Sequence, residues 1–182
     1  VHASLYYIEA EMANIGEYLM RRRKNPQGLS RSEGQSQVII RYATSRDLQR
    51  IVEISEETRE LENYTGQVMS ASDFAEFLDR SPSRKGWAFL IVAEVDGNVV
   101  GYITGYKGKR YFYLPYGAVD KRYRRKGIAT ALMQYVEKLA LKERKKYVFY
   151  SVFTSNKAMK RFSRKLGFRP GRTLVQYAKV LR

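Results

Sequence analysis

The apolar residues of this chain change their period several times, and each change predicts an element. Leu5, Ile8, Met12, Ile15 and Leu19 are spaced 3, 4, 3 and 4, a narrow seam that predicts a helix over residues 3–23. Arg21, Arg22, Arg23 and Lys24 close it, with cations where a helix dipole favours them. Two heptads are short for a free coiled coil, so this seam is expected to dock on the body or to pair in a homodimer. Residues 25–37 are polar and aperiodic and contain Gly, Ser and Pro, the composition of a linker. The predicted organisation is a helical extension over 1–24, a linker over 25–37 and a main domain over 38–182.

In the main domain, Val38–Tyr42 predicts a short strand, and Thr44 and Asp47 cap a helix carrying Leu48, Ile51, Val52 and Ile54. A loop through residues 63–66 follows. Residues 70–80 then set Phe74, Phe77 and Leu78 on one helical face, and 81–86 form a turn. Residues 87–95 are a strongly apolar strand, Asp96-Gly97-Asn98 a hairpin turn, and 99–106 the returning strand. After a second turn at 107–109, residues 110–119 complete an antiparallel meander. The period then lengthens: Ile128, Leu132, Tyr135, Val136 and Leu139 predict a helix reaching about residue 146. A strand over 147–153, a helix over 155–166 stopped by Gly167 and a strand over 173–181 end the chain. The order β-α-α-β-β-β-α-β-α-β places the protein in the α/β (α+β) class.

Composition narrows the chemistry. With 44% apolar and 29% charged residues in 182, the chain is globular. It has no cysteine and one histidine, His2, which excludes a thiolate nucleophile, a Ser-His triad and a Cys or His metal site; no metal is expected. No apolar run reaches the roughly 18 residues of a membrane span, and no signal-peptide core stands at the start. A soluble, cytoplasmic protein is expected. The net charge of +16 is unevenly held: residues 107–182 carry 22 Lys and Arg against 3 Asp and Glu, residues 1–106 carry 12 against 15. The basic half calls for a polyanionic partner, either cofactor phosphates or nucleic acid.

The densest part of that charge is the turn between the meander and the long helix, Val119-Asp-Lys-Arg-Tyr-Arg124-Arg-Lys-Gly127. A strand that feeds a Gly-containing turn and a helix N-terminus offers unpaired N–H groups and the positive end of a dipole to an anion. Gly127 removes a Cβ that would hold the anion away. Arg124, Arg125 and Lys126 raise the local potential.

Arg124-Arg-Lys-Gly127-Ile-Ala129 resembles the Arg/Gln-x-x-Gly-x-Gly/Ala loop of the GNAT superfamily of N-acetyltransferases, in the same strand–loop–helix setting. Asn156, followed by Leu166-Gly167-Phe168, is similar to that family's Asn…Leu-Gly-Phe helix. Ile40-Arg41-Tyr42-Ala43-Thr44 with Asp47 is similar to its first strand and helix. The resemblance runs from about Val38 to the C-terminus. It implies a mixed, mostly antiparallel sheet with flanking helices, splayed between the fourth strand (110–119) and the fifth (147–153), with acetyl-CoA as acyl donor in the gap. It further implies that the backbone at Ala118 and Val119 holds the pantetheine amides. The N–H groups of Arg125, Lys126, Gly127, Ile128, Ala129 and Thr130 would hold the pyrophosphate, with Asn156 supporting the arm from the other wall. An acceptor amine would enter from the opposite side and attack the thioester directly.

The catalytic positions depart from the family pattern. Ser163 stands where many members place a tyrosine as general acid, Ser151 where a glutamate often serves as base, and residues 111–116 contain no carboxylate. A serine hydroxyl is a poor acid at neutral pH, so Ser163 at best orients water or thiolate. Either proximity and carbonyl polarisation suffice for the activated thioester, or Tyr116 or Tyr150 supplies the acid from another position. Glu53, Glu56, Glu57, Glu60 and Glu62 form an acidic rim near the expected acceptor side, suited to a lysine, a protein N-terminus or a small cationic amine. The basic half keeps two rivals open: an acceptor linked to RNA or held on nucleic acid, and a non-catalytic module that binds nucleic acid or acyl-CoA.

Overall fold

The computed structural model describes residues 37–58, 69–80 and 86–173. The predicted N-terminal helix with its dimer seam, most of the linker, the 63–66 loop, most of the 81–86 turn and nearly all of the last strand lie outside the described residues.

The described chain runs β1 (Val38–Tyr42), a 3-10 turn at Ser45–Asp47, α1 (Leu48–Glu56), α2 (Ala71–Asp79), β2 (Ala88–Val95), β3 (Asn98–Lys107), β4 (Tyr111–Tyr113), β5 (Gly117–Val119), a 3-10 turn at Lys121–Tyr123, α3 (Ile128–Lys142), β6 (Tyr147–Phe149) and α4 (Lys157–Lys165). The sheet order is β1-β2-β3-β4-β6, with β5 also paired to β3. All pairs are antiparallel except β4 with β6, which are parallel.

Strand β2 explains why the fold has two layers of helices. Successive side chains of a strand point to opposite faces. Phe89, Ile91 and Ala93 pack with Ile128, Leu132, Met133 and Val136 of α3. Leu90 and Val92 pack with Ile51 and Ile54 of α1 and with Phe74 and Phe77 of α2. A strand covered on both faces is apolar along its covered length, which is the pattern of residues 87–93 in the sequence. Gly105 makes one close approach workable, because a Cβ there would lie 2.0 Å from the ring of Phe89.

The entry to α1 follows the predicted cap. Thr44 N–H donates to Asp47 Oδ2 at 2.7 Å, and Arg41 grips the same carboxylate at 2.7 and 2.9 Å. Burial pushes the Asp47 carboxyl up, but the bonds from Arg41 and Thr44 prevail and hold it below its ordinary value.

The predicted strand over 110–119 forms as two. β3 pairs with β4 at Tyr106–Tyr113 and with β5 at Ile103–Gly117, so three steps on β3 match four on the opposing segment. The extra residue is a bulge at residues 114–116. Pro115 has no N–H to give to a ladder. Thr104, fully buried, repairs the interruption: its N–H donates to Tyr116 O at 2.9 Å, and its hydroxyl accepts from Tyr116 N–H at 3.2 Å. Leu114 turns the other way and donates to Phe149 O at 3.0 Å, the last described rung to β6. Beyond it β5 pairs with β3 alone, and a gap opens between β5 and the chain leaving β6. The strand expected over 147–153 therefore stops at Phe149, where its partner is lost.

Candidate active site

The gap arranges the polar groups around it. In an antiparallel pair, alternate residues give both backbone groups to the neighbouring strand, and those between turn theirs to the opposite edge. Tyr116 and Asp120 are bonded to Thr104 and Val100, each at 2.9 Å, and Ala118 faces Tyr102 between them. Gly117 and Val119 therefore turn their N–H and C=O groups toward the gap. Of the two residues singled out on this strand, Val119 presents its backbone to the opening and Ala118 engages β3. The Val119 carbonyl accepts from Arg124 Nε at 3.0 Å.

Past Val119 the chain makes the basic turn. Arg125 and Gly127 both lie in the left-handed region, at φ 66° and 85°. Glycine takes that conformation without strain, whereas arginine there is uncommon. Gly127 is the residue before α3, so no side chain caps the helix. The first intrahelical bond runs from Ala131 N–H to Gly127 O at 2.9 Å, leaving the N–H groups of Ile128, Ala129 and Thr130 without an acceptor in the helix. Nothing lies within 4 Å of a Cβ built at Gly127. Ile128 is buried in the core and anchors the helix start, while Arg124, Arg125, Lys126 and Gly127 are exposed. The first turn of α3 carries no carboxylate, and Lys126 Nζ sits 5.0 Å over the Tyr123 ring. Donors without an intrahelical acceptor, a helix dipole and three exposed cations are together suited to holding an anion.

Beyond β6, Asn156 caps α4, its Oδ1 accepting from Met159 N–H at 2.9 Å. Among the described residues its Nδ2 donates to nothing. The two hydroxyl candidates on this wall turn out to be one unit. Tyr150 OH donates to Ser163 Oγ at 2.8 Å, and Ser163 in turn donates to Met159 O at 2.7 Å. The Tyr150 ring packs edge-on to Phe168, with centroids 5.0 Å apart. Burial raises the Tyr150 phenol above its ordinary value; the Ser163 bond opposes this and the charge of Glu137 on α3 adds to it. The phenol is thus protonated throughout the neutral range. Tyr116, 40% exposed, stands at the bulge on the other side of the gap.

The acidic rim is partly occupied. Glu53 pairs with Arg50 at 2.8 Å, and Glu57 accepts from Lys121 N–H at 3.2 Å; Glu56 is exposed, and Glu60 and Glu62 lie outside the described residues. Sequence reasoning missed Asp120, whose buried carboxylate binds both Arg50 and Arg122. Its signal was compositional: it is the sole aspartate in residues 107–182. The Arg122 hydrogen bond, working against burial, brings its pKa down to about 2.

The profile of the Acetyltransferase (GNAT) family matches residues 48–168. The chain is 30% identical over 141 residues to the uncharacterized N-acetyltransferase MJ1530 of Methanocaldococcus jannaschii, covering 77% of this chain and 83% of that one. It is 32% identical over 148 residues to the L-amino acid N-acetyltransferase AaaT of Escherichia coli, covering 79% and 90%. The structure of the PaiA N-acetyltransferase of Thermoplasma acidophilum in complex with coenzyme A matches with a TM-score of 0.67 at 20% identity, over 75% of this chain and 92% of that one. The split sheet, the glycine-led helix start and the matched span from α1 to Phe168 agree: the chain belongs to the acetyltransferase (GNAT) family and is an acyltransferase.

Proposed function

We propose that this protein transfers acetyl from acetyl-CoA directly to a primary amine. The observation that carries the reading is the continuity of one path. The opening between β5 and β6, bordered by the outward-turned N–H of Val119, adjoins the N–H groups left without an intrahelical acceptor at the start of α3. A pantetheine arm carries two amides that suit a strand edge, and a pyrophosphate suits a helix N-terminus. In this reading Val119 takes the arm and the N–H groups over residues 125–130 take the pyrophosphate. Asn156 reaches the arm through Nδ2, since its Oδ1 is already engaged.

The chemistry needs an amine nucleophile, a polarised carbonyl and a route for the leaving sulfur. The amine nitrogen bonds to the acyl carbon, the C–S bond breaks, and the electron pair leaves on sulfur. Tyr150, in the first position past the last rung, supplies the proton donor. A thiol of ordinary acidity, near pKa 8.5, is a stronger acid than a phenol raised above its usual value. Full transfer to a free thiolate is therefore uphill, and Tyr150 acts by hydrogen bonding to sulfur while the bond is breaking. Ser163 can turn its hydroxyl from Met159 to the oxygen of Tyr150 as negative charge develops there. The proton lost by the amine passes to water.

The AaaT relative makes the α-amino group of an L-amino acid the first acceptor to test. The test is release of free CoA from acetyl-CoA across L-amino acids, polyamines, aminoglycosides and peptide N-termini. Acetyl-CoA should raise the thermal midpoint of the wild-type protein. Gly127→Glu, which puts a carboxylate at the phosphate position, should abolish that rise; an unchanged rise overturns the assignment.

One observation favours a second reading, an acceptor carried on nucleic acid. Lys157, Lys160, Arg161 and Arg164 share one face of α4 and line a shallow hollow of about 240 Å³. Among the described residues none of the four has an ion-pair partner. Salt-sensitive RNA or DNA binding that acetyl-CoA does not displace would support this reading.

A further inference from the structure

The basic turn is tied to helix α1 by a buried ion pair that the acyl-transfer chemistry does not use. Asp120 has no exposed side-chain surface. Its N–H donates to Val100 O at 2.9 Å, its carbonyl accepts from Tyr123 N–H at 2.9 Å, and its Oδ1 accepts from Arg122 N–H at 2.8 Å. These bonds end β5 and shape the first residues of the turn. The carboxylate is also held by the guanidinium of Arg50, which reaches across from α1 and whose Nε donates to Val99 O at 3.2 Å. At the other end of α1, Glu57 accepts from Lys121 N–H at 3.2 Å. The same helix therefore grips the turn at two adjacent residues.

Such a grip has a physical reason. Lys121, Arg122, Arg124, Arg125 and Lys126 crowd into six positions next to the positive end of the α3 dipole. Their mutual repulsion, with the left-handed conformations of Arg125 and Gly127, works against the geometry that presents the N–H groups together. An opposing charge at the root of the turn, itself fixed by a guanidinium from another element, offsets that repulsion. It leaves the outer cations and the helix N–H groups free.

We propose that Arg50 and Asp120 are positioning residues that hold the basic turn in the conformation that receives the donor's pyrophosphate. The proposal rests on the reading of the turn as the pyrophosphate site, and it predicts a loss confined to donors that carry the phosphates. S-acetylpantetheine has the same thioester and arm as acetyl-CoA but no pyrophosphate. The experiment measures kcat/KM for both donors with wild type, Asp120→Asn, Arg50→Met and Arg50→Lys, with circular dichroism and thermal midpoints as controls of folding.

The wild type should prefer acetyl-CoA. Asp120→Asn and Arg50→Met should each shrink that preference at least tenfold through KM for acetyl-CoA, with less than a twofold change for S-acetylpantetheine. Arg50→Lys, which keeps the charge but not the fork, should recover part of the preference. Should Asp120→Asn fail to fold, Arg50→Met carries the test, since Arg50 is partly exposed. Equal losses on the two donors, or no loss on either, would overturn the positioning role while leaving the pyrophosphate site standing. A wild type that uses the two donors equally would overturn the site and the positioning role with it.

Discussion

Removing one oxygen from Tyr150 separates the two ways this site can expel sulfur. Tyr150→Phe keeps the ring against Phe168 and deletes the 2.8 Å bond to Ser163. Ser163 still donates to Met159 O at 2.7 Å, so no buried donor is left unpaired. The folding cost is that of a single half-buried hydrogen bond, about 1 kcal/mol. Loss of a positioned proton donor costs about 10²–10⁴ in rate, equivalent to roughly 3–5 kcal/mol of barrier. The two effects differ enough to be told apart.

The assay is steady-state CoA release with the best acceptor from the panel, with kcat and KM determined separately. Tyr150→Phe should lower kcat at least a hundredfold with KM for acetyl-CoA within threefold, because the hydroxyl acts on the breaking bond. Ser163→Ala should lower kcat less than tenfold. It removes a partner that holds the phenol pKa down, so any decline of kcat at high pH should move further up. The sign follows from the role: the donor works protonated, so activity is lost only as pH rises through a value that burial has moved above the ordinary tyrosine value. A Tyr150→Phe enzyme within tenfold of wild type would refute the reasoning. Proximity and carbonyl polarisation would then account for the transfer. A thousandfold loss in Ser163→Ala would refute it from the other side.

Three further outcomes follow from the geometry. Gly105→Ala places a methyl 2.0 Å from the buried Phe89 ring and should destabilise by about 3 kcal/mol; in urea unfolding, the Phe89→Leu/Gly105→Ala pair should recover part of that loss. Asp120 has a folded pKa of about 2 against an ordinary 3.8, so its contribution is present above pH 4 and lost as pH falls toward 2. That contribution is about 1–2 kcal/mol after discounting the exposed Arg122 end, and acid unfolding curves of Asp120→Asn should lack it. Burial raises the Glu137 carboxyl, so its charged form opposes folding above its own pKa; Glu137→Gln should raise the thermal midpoint at pH 7 and leave it unchanged near pH 4.

What the sequence could and could not announce follows from the range of each interaction. The helix of Ile128, Leu132 and Val136, the doubly covered strand around Ile91 and the Gly127 turn are written in neighbouring residues, and their periods survive in the fold. The break at residues 114–116 is not, although Pro115 marks it. A bulge is a mismatch between two strands, and it becomes visible only when β3 is laid beside β4 and β5. The Tyr150–Ser163 bond spans 13 residues with no repeat to flag it, because α4 must first fold back on the wall beyond β6. Asp120 pairs with Arg50, 70 positions earlier, and only its isolation among cations hinted at a role.

These non-local contacts sit where the family pattern and this chain part company. The donor side needs only backbone N–H groups, a glycine and positive charge, which a short local motif can encode. The proton donor needs a hydroxyl at one point in space, and strand or helix can deliver it. Serine at position 163 accepts the hydrogen bond of the Tyr150 phenol, 2.8 Å away, so in the proposed mechanism a tyrosine oxygen still stands on this wall. Had Tyr150 been free of Ser163, the serine would be a bare substitution. Joined to it, Ser163 on α4 holds a tyrosine oxygen that is attached to the segment just past β6 and not to the helix. That is why residue-by-residue comparison with the motif finds the acid missing and the folded chain supplies a candidate for it.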